Sequence, residues 1–520
     1  MDNPKRNFLD RTIAVFSPER AARRDAFKAI GGSKRFANAI KNLGKSSPFY
    51  RGNRNGRSLS EWRTDSGTAN EHISESLVDL RNDSNDLVAN NSIAAGAIAT
   101  YVTNVVGTGL QLSPNIDNDY LDLSEEEAEK WQQSVEREWA LFCKTCDLTR
   151  TKTFVEVTSL VFRSYLTNGD VFVNLPMIQR PGIVYETTLN LIEGHRISSK
   201  NDMLEGDRLV MGVELDEYGA PSGYQYSTES GIGKTKTWRR LKAFDDQGNP
   251  LVLHVFKKTR VDQNRGIPLL APIIETIKKI DTYAQAEVDA AVLNAFFTVF
   301  IKKKSTDEGS ALDVVSKMGS ETGAKSSDDD LVLGSATIVE LYDDEEGIEL
   351  ADPNRPNVNF GNFFDNFLGQ VAMGINTPKE VLLKAFQSSY SASKGAIIEA
   401  AKVFDSDERF LVDSFCQPVY EAFLFESVAK GRISAPGFMN DPLIKQAYCE
   451  SEWIGPGQNE LDPGKGAKAA QLRMNNNTSN ELIETARTGR NFRKVQRGKK
   501  RAELIKKQQN FEAVIPEPEV

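Results

Sequence analysis

The chain has few of the residues on which metal binding, nucleophilic catalysis and disulfide frameworks depend. Its 520 residues include only four cysteines and three histidines. So few cysteines do not make a disulfide framework, which is typical of a reducing compartment. No apolar run reaches the 18 or more residues of a transmembrane helix, so no contact with a membrane is expected. The N-terminus carries charge without an apolar stretch and is not expected to be a secretory signal.

Two glycine-rich segments fall short of nucleotide-binding motifs. Gly231-Ile-Gly233-Lys234-Thr235 resembles the end of a phosphate-binding loop, but the position that requires the first glycine is Thr228. We expect a β-hairpin loop there. Gly107-Thr-Gly109 lacks the third glycine of a dinucleotide-binding fingerprint and is expected to end a helix. The sequence therefore predicts no nucleotide cofactor.

Clusters typical of metal sites are also incomplete. Cys143 and Cys146 have zinc-like spacing, but no second pair follows at a suitable distance, so buried structural cysteines are expected. The histidines His72, His195 and His254 lie in unrelated contexts. Asp328, Asp329 and Asp330 fall in a Ser/Gly-rich segment, where a solvated loop is the expected structure. We predict no metal, no cofactor, no catalytic residue and no enzymatic activity.

Charge is distributed unevenly around a net value of −9. Residues 1–57 contain fourteen Lys or Arg against four acids, and residues 487–507 contain ten against Glu503 alone. The middle of the chain is therefore strongly acidic. Basic ends can contact phosphates or an acidic partner, whereas an acidic body cannot wrap DNA tightly.

Apolar periodicity predicts a helix-rich, mixed α+β fold. Residues 75–106, 125–142 and 154–166 show helical spacing, and the period changes to two between residues 171 and 256, which predicts an antiparallel β region. A long helix is expected over 269–301, followed by an insert with strand candidates at 331–333 and 336–341. A helix near 481–487 is expected in the polar C-terminal region.

The stretch of residues 377–393 is the most informative part of the sequence. It is rich in serine, opens with Thr377-Pro378, and separates an apolar helix before it from a helix of about 35 residues after it. Proline disfavours helical geometry at the preceding residue, so the first helix is expected to stop there. Long helices that flank such a loop are typical of a scaffold that holds a mobile loop in place.

Ten short segments, in this order, resemble the portal proteins of tailed bacteriophages, specifically the lambda-like portal family, over roughly residues 75–470. The segments are Arg81-Asn82 through Asn90, Asn104 to Gly109, Asn168-Gly169-Asp170 to Val173, Ile192 to Ile197, Gly212-Val213-Glu214 with Asp216 and Gly219, His254 to Phe256, Arg265 to Pro268, Tyr390 to Ser393, Phe415 with Pro418, and Trp453 with Gly455-Pro456 and Asp462-Pro463.

The resemblance implies a portal-type subunit that assembles into a ring, expected to be a dodecamer, with a central channel for double-stranded DNA at one capsid vertex. It divides the chain into a basic mobile arm (1–60), a wing (61–265), a first stem helix (266–301), a clip (302–359), a second stem helix (360–376), a tunnel loop (377–393), a long wing-to-crown helix (394–430), and a crown with a basic tail (431–520).

The same resemblance implies functional residues and partners. The channel loop would present Lys379, Lys384, Gln387, Ser388, Ser389 and Tyr390 to DNA, without reading its sequence. The clip would dock partners through Lys302, Lys303, Lys304, Asp328, Asp329 and Asp330. Expected partners are other copies of the chain, the large terminase, the head-tail adaptor, and the major capsid or scaffolding protein. The expected location is the virion, with assembly in the host cytoplasm.

Two other classes of function remain open. A packaging ATPase or nuclease would need an intact phosphate loop or clustered carboxylates, and the sequence has neither. A head-tail adaptor or capsid assembly scaffold without a DNA channel is the main alternative. Adaptors are much shorter and lack the order of helix, insert, helix, loop and long helix. The mass of the purified particle distinguishes the three.

Overall fold

The computed structural model describes residues 66–199, 208–230, 235–303, 337–342, 347–349, 360–386, 389–457 and 462–512. Several predictions fall outside these ranges and stay predictions. They concern the basic arm of residues 1–60, the strand candidate 331–333, Lys304, Asp328 to Asp330, Gln387, Ser388 and the last eight residues.

The N-terminal helical stretch consists of two helices rather than one. Helix α1 spans Ala69–Asn90 and α2 spans Ser92–Val105. Asn91 separates them because its backbone is extended and its side chain accepts hydrogen bonds from the amides of Ile93 and Ala94, which caps α2. The break was not predicted, because the helical spacing of apolar residues continues on both sides of Asn91.

The next two helices agree with the predicted ones. Helix α3 spans Glu125–Thr145 and begins at a capping box in which Ser124 and Glu127 bond each other's backbone amides. Helix α4 spans Phe154–Asn168. Strand β1, Gln111–Pro114, precedes α3 and pairs antiparallel with β12, Ser451–Ile454, near the C-terminal end of the fold.

The predicted antiparallel region forms two sheets. Strands β3, Asn190–Glu193, and β8, Val252–Val255, flank β2, Val171–Asn174, and both pair antiparallel with it. The second sheet has the order β4-β5-β6-β7. Its strands are β4, Leu209–Val210, β5, Val213–Leu215, β6, Pro221–Ser230, and β7, Thr235–Lys242.

The predicted helix of residues 269–301 is shorter than expected. A single 3₁₀ turn leads into α5, Ile274–Phe296, after which the chain becomes strand β9, Phe297–Lys303. Phe297-Thr-Val-Phe-Ile301 is a β-branched and aromatic run that favours a strand. Strand β9 pairs parallel with β10, Thr337–Tyr342, and antiparallel with β11, Gly347–Glu349.

The region after the insert is almost entirely helical. Helix α6 spans Phe360–Gly374 and α7 spans Lys379–Leu383. Helix α8, Tyr390–Leu411, continues through a π-helical turn at Val412–Cys416 into α9, Gln417–Ala429. Pro418 has no N–H to donate to the preceding turn, so a local departure from α geometry at this point costs little.

In the described residues after α9 there are four further helices, and one of them was predicted from the sequence. They are α10, Pro442–Cys449, α11, Pro463–Asn475, α12, Glu481–Arg487, and α13, Phe492–Glu512. Helix α12 lies where a helix was predicted.

One large apolar core joins helices α2 to α6, α8 and α9. Its largest fully buried side chains are aromatic: Tyr101, Phe142, Phe162, Phe415, Tyr420 and Phe423. A smaller cluster around Phe172 and Tyr224 lies between the two antiparallel sheets. The fold is therefore helix-rich α+β, as predicted.

Candidate functional site

The predicted channel loop is more ordered than its serine content suggests. Helix α7 occupies Lys379–Leu383 within it, and α8 begins at Tyr390 rather than at residue 394. Ser389 caps α8, since its side chain accepts a hydrogen bond from the amide of Ala392 at 3.4 Å. A serine-rich segment before a helix therefore provided a cap as well as a loop.

Tyr101, on α2, fixes the turn that leads into this loop. Its hydroxyl donates to the carbonyl of Ile375 and lies 2.8 Å from Thr377 Oγ1. Its ring packs edge-on against Phe404 of α8, with centroids 5.4 Å apart. Burial raises the pKa of Tyr101 to about 12, so the hydroxyl stays protonated and remains a donor. One side chain thus contacts the chain both before and after the loop.

The two predicted channel lysines differ in their surroundings. Lys379 Nζ lies 2.7 Å from both carboxylate oxygens of Asp365 on α6, so it is held in an ion pair against that helix. Lys384 ends α7 in a left-handed conformation, with a φ of 55°, and is exposed. Among the described loop residues, Ser389 and Tyr390 are also exposed. Lys384 rather than Lys379 is therefore the lysine available to a ligand.

Aromatic side chains hold α5 and α6 together below the loop. Tyr283 of α5 contacts Phe360 and Phe363 of α6, with ring centroids 5.6 and 4.8 Å apart. At the other end, Gly374 lies so close to Ile273 that an added Cβ would be 2.3 Å from its Cγ2. The two helices form a tight pair.

This pair leaves apolar side chains uncovered. Val288 and Val292 on α5 are 56% and 49% exposed, and Met373 on α6 is 82% exposed. Uncovered apolar side chains of this size, gathered on a helix pair, are typical of a surface that packs against another chain.

The predicted docking residues are described only in part. Lys302 and Lys303 lie at the end of β9, where Lys302 is in register with Leu341 of β10 and Gly347 of β11. The other four residues of that group lie outside the described ranges. The predicted docking set therefore stays a prediction.

Several of the segments that carry the family resemblance meet at one buried carboxylate, Asp170. Arg81 Nη2 donates to Asp170 Oδ1 at 2.6 Å, and Arg265 Nε donates to Oδ2 at 2.7 Å. The amide of Gly266 donates to Oδ2 at 3.2 Å. Gly194 has no space for a side chain, because a Cβ there would lie 2.1 Å from Asp170 Oδ1.

Arg265 satisfies all of its donors inside this site. Besides Asp170, its guanidinium donates to the carbonyl oxygens of Ile197, Met211 and Gly194 at 2.5 to 2.7 Å. Burial alone would raise the pKa of Asp170, but the guanidinium groups of Arg265 and Arg81 outweigh it and hold that pKa well below its usual range. The carboxylate is therefore charged and paired on both sides.

His254 lies next to this cluster as a neutral ring. Its Nε2 is 3.6 Å from Asp170 Oδ2, which is too long for a normal hydrogen bond, and its ring stacks between Phe172 and Phe256. Burial lowers the pKa of His254 to about 4. The cluster is thus a structural junction, and the histidine fills space within it.

The junction fixes the start of α5. Four residues after Arg265, the amide of Leu269 donates to the carbonyl of Leu166 at 2.9 Å. The chain therefore leaves the β region and enters α5 at a position set by the Asp170 cluster. The sequence analysis recognised these segments but not their common partner, because no local pattern reports contacts between distant positions.

The Trp453 to Pro456 segment packs against the core from the C-terminal side. Trp453 Nε1 donates to Gln417 Oε1 at 3.1 Å, and its ring lies edge-on to Trp139. Gly455 lies against the Glu408 carboxylate, which borders a cavity of about 1240 Å³ between α8, β12, α11 and α12. Burial, with the nearby Asp405 carboxylate, raises the pKa of Glu408 to about 7.

The cysteine pair and the glycine-rich segment that resemble metal and nucleotide motifs lie in surroundings that do not favour such sites. Cys146 is buried and Cys143 half-buried, and burial raises the pKa of Cys146 to about 12, which disfavours the thiolate that zinc requires. Strands β6 and β7 pair antiparallel up to Ser230 and Thr235, which agrees with the predicted hairpin, and residues 231–234 lie outside the described ranges. In the described ranges, no cluster of three metal-ligating side chains occurs. No helix in those ranges is both long and apolar enough to cross a bilayer.

A family model for lambda-family phage portal proteins matches residues 55–407, which is more than half of the chain. The chain belongs to the lambda family of phage portal proteins. It is therefore a portal protein of a tailed phage and a component of the virion. The matched range covers the Asp170 junction, the α5–α6 pair and the predicted channel loop.

Individual relatives agree with this assignment. The chain is 23% identical to portal protein B of Escherichia phage lambda over 430 residues, which cover 79% of this chain and 80% of that protein. It is 22% identical to the portal protein of Escherichia phage N15, covering 79% of this chain and 81% of that protein. A probable portal protein of Halomonas phage phiHAP-1 is 21% identical over 455 residues, covering 82% of this chain and 80% of that protein.

Solved structures with a distant likeness come from gene transfer agent particles. One is the virion of the native particle, with a TM-score of 0.42 and 13% identity, covering 78% of this chain and 90% of that one. Another is the neck of the native particle computed with C12 symmetry, with a TM-score of 0.41 and 14% identity, covering 80% of this chain and 93% of that one.

Proposed function

We propose that this portal protein forms a ring, a dodecamer, at one capsid vertex, through which double-stranded DNA is packaged and later ejected. Family membership over residues 55–407 is the observation that carries the proposal. The order of α5, the β9–β11 insert, α6, the loop and α8 supports it. In this reading α5 and α6 are the stem, residues 302–359 the clip, and residues 377–393 the tunnel loop.

The stem supplies the contact between subunits. Val288 and Val292 extend the apolar side of α5 past the part that packs on α6, and about half of each side chain is exposed within the described chain. A neighbouring copy that covers them removes apolar surface from water, at about 25 cal/mol per Å². Repeated around a closed ring, this contact stabilises every junction between subunits.

The tunnel loop contacts DNA weakly and without reading its sequence. Exposed Lys384 provides one positive charge per chain at the end of α7, so a ring of about twelve chains has a belt of about twelve. Each exposed contact with a phosphate is worth at most about 1 kcal/mol and exchanges rapidly. An acidic body around this belt lets DNA slide, because few phosphates are neutralised at once.

The clip and the outer domains contact proteins. The clip docks the large terminase during packaging and the head-tail adaptor afterwards, with Lys302 and Lys303 of β9 as candidate contacts. Residues 61–265 form the wing and residues 431–520 the crown and tail, which face the major capsid or scaffolding protein. The ring assembles in the host cytoplasm. It is a conduit without enzymatic activity of its own, so the motor supplies the energy of packaging.

Native mass measurement of the purified full-length chain tests this proposal. A particle of about twelve chains, which electron microscopy shows as a ring with an open channel, is the expected result. A monomer or small oligomer at all concentrations and salt conditions overturns it. A closed assembly without an axial channel would instead favour the adaptor or scaffold alternative.

A further inference from the structure

The C-terminal helix α13 is docked on the body of the subunit near its N-terminal end. Arg493 donates to Glu129 at 2.8 Å and to the carbonyl of Pro114 at 3.2 Å. Arg497 donates to Glu136 at 2.9 Å, and Arg493 also lies 3.5 Å from Glu136. The two arginines are four residues apart, so they lie on one face of α13 and bind carboxylates on one face of α3.

The part of α13 that follows the docked end is exposed. Every residue from 498 to 507 is exposed, and Leu504 and Ile505 are 61% and 46% exposed. This half of the helix has five basic residues and one acid, and no ion pair within the described chain involves the basic ones. These residues are Lys499, Lys500, Arg501, Lys506 and Lys507, with Glu503 as the acid. We call residues 498–507 the free half of α13.

The face that docks on α3 continues into the free half. At 100° per residue, Lys500, Arg501 and Leu504 lie on the same side of the helix as Arg493 and Arg497. On α3, however, the positions beyond Glu136 on this face are Ala140 and Lys144, which offer no carboxylate. Within the described residues, α3 therefore offers no further carboxylate to α13, although the arginine-bearing face of α13 continues into the free half.

An acidic segment with the complementary properties lies at the other end of α3. Residues 117–126 include five exposed acids that take part in no ion pair within the described residues, namely Asp117, Asp119, Asp122, Glu125 and Glu126. Tyr120, in the middle of them, is 52% exposed. We call residues 117–126 the acidic segment.

The free half and the acidic segment of one subunit point apart. The contacts advance along α3 from Glu129 to Glu136 as α13 advances from Arg493 to Arg497, so the free half continues away from residues 117–126. Two complementary surfaces that lie towards opposite ends of α3 cannot meet within one subunit, and a head-to-tail contact between copies can bring them together.

We propose that the free half of α13 binds the acidic segment of the adjacent copy, so that the helix links neighbouring subunits. The proposal rests on the ring described under Proposed function and adds the surfaces that meet in it. Four net positive charges on the free half face five negative charges, and Leu504 and Ile505 cover Tyr120. The docked half of α13 already uses the same recognition, arginine on the carboxylates of a helix.

The alternative occupant of the free half is DNA, which its basic residues also suit. Two features favour a protein. Leu504 and Ile505 gain nothing from a phosphate backbone, and Glu503 lies among the basic residues, where it repels phosphate but is tolerated beside Lys or Arg at a protein interface.

Cross-linking of the full-length chain tests the proposal. In the double variant Arg501→Cys with Asp122→Cys, a short bis-maleimide should give a ladder of covalent multimers up to the full ring. Each single variant should give no ladder, because the native cysteines are buried or half-buried. The pair Arg501→Cys with Tyr218→Cys is the matched control, since Tyr218 is 87% exposed but lies outside the acidic segment.

The outcomes separate this inference from the proposed function. Rings of normal mass without the 501–122 ladder overturn the inference and leave the ring intact. Absence of rings in the wild type overturns the proposed function itself. The inference is also overturned if the cysteine pair gives no ladder and Lys500→Glu with Arg501→Glu reduces DNA retention without changing ring stability. That result assigns the free half to DNA.

Charge reversal gives a second, independent measurement. Either Lys500→Glu with Arg501→Glu, or Asp119→Lys with Asp122→Lys, should lower the salt concentration at which rings dissociate by about twofold, because both place like charges opposite each other. Combining the two pairs should restore the wild-type value. Lys236→Glu with Arg239→Glu on β7 makes the same change in net charge as Lys500→Glu with Arg501→Glu, but elsewhere, and should leave the value unchanged. Failure of the combination to restore stability contradicts the proposal.

Discussion

Asp170 and Arg265, 95 positions apart in the sequence, form an ion pair with Nε and Oδ2 separated by 2.7 Å and side chains 0% and 1% exposed. A second guanidinium, from Arg81, binds the other carboxylate oxygen. A buried ion pair contributes little net stability compared with apolar packing, but removal of one partner leaves the others buried and unpaired. The junction therefore specifies how the β region and α5 meet.

Asp170→Asn should destabilise the subunit by about 3–5 kcal/mol, because two buried guanidinium groups lose their counter-charge. Urea unfolding followed by tryptophan fluorescence measures the change. The control is Glu193→Gln, which removes an exposed partner of His195 nearby and should change stability by less than about 1 kcal/mol. Equal effects of the two substitutions would contradict the proposed importance of the junction.

Tyr101→Phe should loosen the turn before the channel loop. It removes the hydrogen bond to the buried carbonyl of Ile375 and the contact with Thr377 Oγ1, at a cost of about 1–2 kcal/mol. Hydrogen exchange in peptides that cover residues 375–386 should accelerate, while exchange in α3 stays unchanged. The exposed Tyr390→Phe is the control. Unchanged exchange in the Tyr101 variant would show that other contacts hold the turn.

Glu408→Gln should change how stability depends on pH. The folded-state pKa of Glu408 is raised to about 7 from 4.5, so the folded protein keeps its proton where the unfolded chain releases it. Stability from this group is therefore full below pH 4.5 and is lost as the pH rises to about 7. Glutamine does not ionise, so the variant does not lose stability as the pH rises. It should be more stable than wild type at pH 8 by about 1–3 kcal/mol.

Thermal unfolding of the Glu408 variant and the wild type between pH 4 and 8 measures this difference. Glu452→Gln at the same cavity is exposed, and its profile should follow that of the wild type. Parallel profiles for Glu408→Gln and wild type would show that Glu408 titrates in its ordinary range.

Lys384→Asn should weaken retention of packaged DNA without altering ring assembly. Asparagine tolerates the left-handed conformation that Lys384 adopts, so the substitution removes the charge with little backbone strain. The loss of retention should be largest at low salt, where exposed charges are least screened. Lys379→Gln should have the smaller effect, because Lys379 is already paired with Asp365. The reverse order would contradict the assignment of Lys384.

Val288→Asp should prevent ring formation while the subunit still folds. Val288 is 56% exposed in the isolated subunit, so an aspartate there stays in contact with water. Its carboxylate becomes buried and unpaired only when a neighbouring subunit covers it. Val371→Asp is the comparison. Val371 is fully buried inside its own subunit, so a charge there disrupts folding first. Native mass and circular dichroism separate the two effects, and intact rings of Val288→Asp would exclude this face from the interface.

Local patterns were sufficient for the regular elements. The helical periods of α3 and α4 and the polar helix α12 are properties of a few consecutive residues, and each helix was predicted close to its observed bounds. The end of α5 at Phe296 was missed because an apolar run continues through it, although the β-branched and aromatic residues of that run favour the strand that pairs with β10 and β11.

The candidate site depends on contacts that sequence spacing does not report. The serines of the loop indicated a flexible connection, but Ser389 is a helix cap and Pro378 precedes a helical turn. The ion pair of Lys379 joins positions 14 residues apart across that turn. The partners of Asp170 were present among the family segments, and only folding identifies which carboxylate they share.

The π-helical turn at Val412–Cys416 sets the angular register of the longest helix. Leu411, Phe415, Val419 and Phe423 follow one another at intervals of four and are all fully buried. In an uninterrupted α-helix each interval of four rotates about 40° past a full turn, so three intervals would carry Phe423 about 120° away from Leu411. The wider turn absorbs most of that rotation and keeps the four side chains in one stripe. Removal of a single residue from this turn would therefore close it into an ordinary α-helix. The eleven remaining steps from Leu411 to Phe423 then end about 20° past three full turns, so α9 would keep its orientation and Phe423 would stay in the core.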